Sequence, residues 1–184
     1  MNSEDFYDSI AEQYDTFFQD EASKEEDAKV KEHLIPLLQW GNKRVLDIGC
    51  GTGLLLEMYY IDDYIGIDPS IRMLAQLTKK FEKSIVFKTP FEDFHWLNNR
   101  DILISLYGSI SYVDPVYFKE YLQHFHGEFY FMFYNDNYKP VTYDKAGNKT
   151  EHYNINEYEF DDKWMSGANI YYLNNYLIFT SLEL

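Results

Sequence analysis

Gly49, Gly51 and Gly53 stand between a β-branched run, Arg44 to Ile48, and an apolar stretch that begins at Leu54. Glycine lets backbone approach a ligand closely, and the first turn of a following helix offers unpaired amides and a positive dipole end. A nucleotide-like ligand suits that combination; a bare turn packing a helix on a strand is the alternative. Asp68 ends the next strand-like run, YIGID, 19 residues after Gly49. A carboxylate about 20 residues beyond the glycines meets ribose hydroxyls in nucleotide-binding α/β folds, and capping of the next helix is its competing role. Leu54 stands where a GxGxxG fingerprint needs its last glycine, so a dinucleotide fits poorly, and the absence of a following GKS or GKT excludes a phosphate-binding P-loop.

Other chemistry-bearing residues are sparse. None of the five histidines, His33, His95, His124, His126 and His152, shows a metal-ligand spacing, and no metal is expected. The HFH pair suits the negative end of a helix, and His152 is the one candidate base. The lone cysteine, Cys50, excludes an intrachain disulfide, fits a reducing, cytoplasmic setting, and reads as a small packing residue of the glycine loop.

The elements that must position these residues alternate. A helical face is spaced by Phe6, Ile10, Tyr14 and Phe17, with Ser3 able to cap it, and a second helix runs from about Ser23 to Gln39, kinked at Pro36. The charge run Glu21 to Glu32 reads as a solvated face. The Arg44–Ile48 strand follows, then a helix from about Gly53 to Tyr60. YIGID is next, and then a helix opened by Pro69 with Ile71, Leu74, Leu77 and Phe81 toward the sheet. Further strands are IVFK (Ile85 to Lys88), DILISL (Asp101 to Leu106) and EFYFMFY (Glu128 to Tyr134), the last preceded by a helix carrying Tyr117, Tyr121, Leu122 and Phe125. Such alternation predicts a parallel sheet with helices on both faces. Residues 135 to 163, rich in Asn, Asp, Tyr and Lys, read as a loop-rich insertion, and Asn169 to Leu182 as an antiparallel hairpin turning at Asn174 and Asn175.

Composition bounds the partners. With 16 Lys plus Arg against 31 Asp plus Glu, a net charge of −15 disfavours nucleic acid and polybasic membrane attachment. Aromatic residues at 19% make the chain too apolar for disorder, and no apolar run approaches a membrane span. The reading is one soluble domain over residues 1–184: N-terminal helices or lid (1–40), ligand-binding core (41–134), insertion (135–168) and C-terminal hairpin (169–184). Oligomeric state is open.

VLDIGCGTG, GIDPS with its helix, the FEDF loop and DILISLYGSISYV together resemble class I S-adenosylmethionine-dependent methyltransferases over about residues 5 to 134, in particular small-molecule enzymes such as amino-sugar N-methyltransferases. The resemblance implies an α/β, Rossmann-like seven-stranded sheet of order 3-2-1-4-5-7-6 with strand 7 antiparallel, and S-adenosylmethionine as cofactor. It implies that Gly49, Cys50, Gly51 and Gly53 pass under the methionine and ribose, and that Asp68 holds the ribose hydroxyls. Asp47 would orient the loop or reach the methionine ammonium. Ile67, Pro69 and Ser70 would flank the adenine, with Phe91 and Glu92 on its other side, and Leu106 would be a further cofactor-binding residue. Pro90 occupies a place where many members carry an acid, so the adenine amine falls to Glu92, Asp93 or backbone. FYDSIAEQYD resembles the lid helix of these enzymes and implies that Tyr14 faces the cofactor.

Methyl transfer from a sulfonium is an in-line displacement that needs alignment and little covalent help. The acceptor side is expected at Tyr7, Tyr107, Ser109, Tyr112, Asn135 and His152, with a small molecule carrying an amine or hydroxyl as substrate. NPPY or DPPY is absent after the fourth strand, which argues against a nucleobase. The alternatives are a cofactor-binding interaction or regulatory subunit, a protein methyltransferase, and an NAD-linked oxidoreductase.

Overall fold

A computed structural model describes residues 3–38, 42–95, 99–135, 141–143, 149–151, 155–156, 158, 160 and 167–184. Its helices are α1 (Ser3–Ile10), α2 (Glu21–Leu38), α3 (Leu54–Met58), α4 (Ile71–Lys80) and α5 (Pro115–His124). The strands are β1 (Arg44–Ile48), β2 (Asp63–Asp68), β3 (Ile85–Lys88), β4 (Ile102–Ser105), β5 (Glu128–Tyr134), β6 (Val141–Tyr143), β7 (Lys149–Glu151), β8 (Asn169–Leu173) and β9 (Tyr176–Thr180).

Seven strands form one sheet in the order β3-β2-β1-β4-β5-β9-β8. β1 to β5 run parallel and β9 antiparallel to β5, which is the expected order with β8 and β9 as sixth and seventh strands. Asn174, at φ +51, lets β8 turn directly into β9. β6 and β7 form a separate antiparallel ladder within the insertion.

Alternation along the strands sorts two cores. Leu46, Leu103, Phe129, Phe131 and Phe133 face a largely aromatic layer with Phe118 and Leu122 of α5. Val45, Ile102, Ile104, Tyr130 and Met132 face Leu34 and Leu37 of α2, Leu55 of α3 and Leu74 and Leu77 of α4.

Three local expectations are corrected. The first helix stops at Ile10 and the chain resumes as a 3₁₀ turn at Tyr14–Phe18, because its two halves dock on different loops of the core. Ser70, not Pro69, caps α4 by accepting from the Met73 amide, so Met73 joins the buried face and Ile71 is half exposed. The acidic run of α2 is not wholly solvated: Asp27 accepts from the Tyr107 hydroxyl and Glu26 from Asn174. No helix among the described residues is long and apolar enough to cross a membrane.

Candidate functional site

From β1 the strand order runs to β2 and β3 on one side, and from β4 to β5 on the other. The strand order therefore reverses direction between β1 and β4, and ligands of open α/β sheets sit in the crevice outside the carboxyl ends of the strands at such a switch point. A cavity of about 370 Å³ opens there, within the roughly 300–1,000 Å³ usual for small-molecule sites.

The turn after β1 is fixed from behind. The Gly49 and Cys50 amides both donate to the Ile67 carbonyl, at 2.8 and 3.0 Å. Gly49 has φ +69, and a Cβ there would lie 2.3 Å from Ser109 Cβ, so glycine is what lets the loops after β1 and β4 touch. Gly51 is different. At φ +52 it also lines the cavity, and a Cβ added to it meets nothing within 4 Å. That open face is room for a ligand against bare backbone.

Asp68 turns toward this loop. Its Oδ2 accepts the Gly51 amide at 3.0 Å and its Oδ1 the Ser70 amide at 2.8 Å. Each oxygen thus keeps lone-pair capacity for a further donor. Burial pushes its carboxyl up to about 6, against the pull of the two amides, with Asp8 and Glu4 adding repulsion. Asp47, buried beside it on β1, accepts from the Tyr64 hydroxyl at 2.9 Å, and burial pushes it up to about 7. The charged residues lining the cavity are Glu4, Asp47, Asp68 and Glu92; no Lys, Arg or His lines it among the described residues. Such a lining favours a ligand carrying positive charge.

Four tyrosines complete the wall: Tyr7 and Tyr14 from the N-terminal segment, Tyr107 and Tyr112 from the turn after β4. The ring of Tyr7 stands edge-on to Tyr14 and Tyr112 at 6.1 and 6.3 Å, and its hydroxyl is 3.5 Å from that of Tyr112. Burial raises all four hydroxyls, that of Tyr112 to about 12, so they remain protonated near neutrality and serve as hydrogen-bonding groups, not bases. Tyr107 adopts φ +50, uncommon for a residue with a side chain. Its hydroxyl donates to Asp27 and its ring meets Tyr176 edge-on at 5.4 Å.

The cavity also brings together Cys50, Ile67, Pro69, Phe91, Leu106 and Ser109. Phe91 is packed edge-on against Tyr117, Phe118 and Tyr121, and Glu92 accepts the Asp114 amide at 3.0 Å. Burial raises the Cys50 thiol, as befits a packing residue. Other expected residues are placed elsewhere. Gly53 precedes α3 at φ +96, where a Cβ would meet Leu77 at 2.9 Å, so its role is packing. Asn135 does not line the cavity; its amide donates to the Asn175 carbonyl beside the β8–β9 turn. Ser70 and Asp93 also stand off the lining, and His152 lies outside the described residues. Sequence reasoning missed Glu4, Met73 and Thr89, which line the cavity, while Thr52 lies there within the Gly49 to Gly53 run. One signal was available: within the N-terminal segment the dipeptide Tyr–Asp occurs twice, at 7–8 and 14–15, with each tyrosine in the wall and each aspartate outside it. Among the described residues no group of three His, Cys, Asp or Glu could hold a metal ion.

A family model described as a methyltransferase domain matches residues 45–127. No curated protein matches the sequence. Solved structures do. An S-adenosylmethionine-dependent methyltransferase from Clostridium acetobutylicum is 16% identical, with a TM-score of 0.63 over 95% of this chain and 97% of that one. The sugar N-methyltransferase KedS8 from a Streptoalloteichus species is 16% identical at TM-score 0.58, covering 91% of each chain. CalS10, an amino pentose methyltransferase from Micromonospora echinaspora solved with bound S-adenosylmethionine, is 14% identical at TM-score 0.59, over 85% of this chain and 89% of that one. At these identities the likeness is one of fold.

Proposed function

We propose that this protein is an S-adenosylmethionine-dependent methyltransferase that methylates an amine or hydroxyl of a small molecule, a reading supported by the methyltransferase-domain model matched over residues 45–127 and by the sheet order shared with the structural neighbours. One observation carries the reading: the crevice between β1 and β4 is a cavity bounded by the bare backbone of Gly51 and by Asp68, whose two oxygens retain acceptor capacity for neighbouring hydroxyls.

When bound, S-adenosylmethionine supplies a methyl group on positively charged sulfur. Asp68 would accept from the ribose hydroxyls, and Asp47, held on its other side by Tyr64, would face the methionine ammonium. Gly49, Cys50 and Gly51 would underlie the ribose and methionine. Pro69, Phe91 and Glu92 would border the adenine, with Leu106 also against the cofactor, and Tyr14 would face it. Tyr7, Tyr107, Ser109 and Tyr112 form the acceptor side and orient the nucleophile toward the carbon–sulfur axis, where alignment supplies most of the acceleration. An amine suits this wall better than a hydroxyl. Once it has lost its ammonium proton to water, an amine attacks through its own lone pair, whereas a hydroxyl needs a base during the transfer itself, and the tyrosines, with raised proton affinity, do not provide one. The sugar N-methyltransferase and the amino pentose methyltransferase among the structural neighbours support the same choice.

Calorimetry with S-adenosylhomocysteine tests the reading. Wild-type protein binds at about micromolar affinity, and Asp68→Ala abolishes binding while retaining the fold; no binding by the wild type overturns it. Methyl label from S-adenosylmethionine should then appear in amine-containing small metabolites of an extract, and label confined to protein would make this a protein methyltransferase.

A further inference from the structure

Three carboxylates fasten the N-terminal segment to the core, and none is accounted for by the cofactor contacts above. Glu4 pairs with Lys88 at the end of β3, at 2.8 Å. Asp8 Oδ1 accepts from the Ser70 hydroxyl at 2.5 Å and from the Arg72 amide at 3.0 Å. Asp15 accepts from the Thr52 hydroxyl at 2.5 Å through Oδ1 and from Lys80 at 2.9 Å through Oδ2. Asp8 and Asp15 follow the two wall tyrosines directly, one on each side of the break between α1 and the 3₁₀ turn.

Their partners lie on two different loops. Ser70 is wholly buried; its amide donates to Asp68 Oδ1, while its hydroxyl accepts from Met73 and donates to Asp8. A carboxylate can only accept, so Asp8 fixes the direction of the Ser70 proton and leaves the serine lone pair for the Met73 amide. Asp8 and Ser70 thereby divide the orphan amides of the first turn of α4, the turn that aims Asp68. Thr52 belongs to the other loop, next to Gly51, which donates to the second oxygen of Asp68. One lid therefore holds both strands of backbone that orient this carboxylate.

We propose that Asp8 and Asp15 are positioning residues: paired latches that hold Tyr7 and Tyr14 over the cavity and brace the two loops that aim Asp68, setting cofactor affinity without touching the cofactor. The cofactor part of this proposal rests on the reading above, while the latch itself stands on the lid contacts.

The test uses the full chain with Asp8→Ala, Asp15→Ala and Asp8→Asn. Each alanine variant weakens S-adenosylhomocysteine binding by about tenfold, the size expected for a charge-assisted hydrogen bond. The asparagine variant, which still accepts from Ser70 and Arg72, recovers most of that loss. Limited proteolysis without ligand gives a second readout: residues 3–18 resist cleavage in the wild type and are cut in both alanine variants while the remainder stays intact. Alanine variants that bind within twofold of the wild type overturn the positioning role, as does an asparagine variant no better than alanine. Unchanged proteolysis overturns the latch. Failure of wild-type protein to bind the ligand strikes the cofactor reading, and the proteolysis still decides whether the lid is latched.

Discussion

The two ends of β1 carry acids of opposite character. At the N-terminal end, Arg44 meets Asp101 in a forked ion pair at 2.7 and 3.0 Å, and Asp101 also accepts the Arg44 amide. Nearby Lys43 pairs with Glu128, and Arg100 with Asp63. Arg44 and Asp101 are open to solvent, and the hydrogen bonds from Arg44 hold Asp101 down at about 2. Three residues along the same strand, Asp47 has no cation beside it, and burial carries it to about 7. Paired acids fasten the bottom of the sheet; at the top Asp47 and Asp68 are desolvated against a cavity that no Lys, Arg or His lines among the described residues, and perturbed groups of that kind often accompany function.

Substitutions at the two ends should separate cleanly. Asp68→Ala has the largest effect, loss of S-adenosylhomocysteine binding by more than about 100-fold, since two buried charge-assisted acceptors vanish together; a lesser effect would put the ribose elsewhere. Affinity should next depend on pH. Asp68 and Asp47 protonate in the free protein as pH falls through about 6 to 7, so binding of a ligand with an ammonium group weakens below that range and releases protons near neutrality. Calorimetry in buffers of different ionisation enthalpy reads that release, and an affinity flat from pH 5 to 8 would contradict it.

Stability should show a crossing. Asp47 binds its proton more tightly in the folded chain than in the unfolded one, so it favours folding below about pH 4 and that contribution is lost as pH rises toward 7. Asp47→Asn therefore raises Tm by about 3–6 °C at pH 8 and changes it little at pH 4, while weakening ligand binding. The smallest effect belongs to the bottom of the sheet. Asp101 is held below its unfolded value, so its contribution is present above about pH 4 and fades toward pH 2. Asp101→Asn lowers Tm at pH 7 by about 2–4 °C and leaves S-adenosylhomocysteine affinity unchanged.

The sheet was legible because its strands are short apolar runs separated by glycine turns and helical spacing, and the turn after β1 because Gly49 and Gly51 both take a positive φ that favours glycine. Gly53 stands off the cavity lining, and spacing cannot separate it from Gly51 because packing against Leu77 demands the same residue type as contact with a ligand. The lid was misread for another reason. Phe6, Ile10, Tyr14 and Phe17 keep helical spacing, yet Asp8 and Asp15 are drawn to separate loops, and tertiary anchors override periodicity. Nor could spacing foretell Tyr107 with Asp27 or His33 with Tyr130, 80 and 97 residues apart, because their approach depends on how α2 settles on the sheet.

The lid contacts have a consequence for the order of assembly. Residues 3–18 fasten to Thr52, Ser70, Arg72, Lys80 and Lys88, so the earliest-made part of this sequence waits for some seventy later residues before it finds its seat. Contacts so distant along the chain form late and are among the first to release. Under the proposed function, spent cofactor would leave through local opening of this segment, with the seven strands remaining paired.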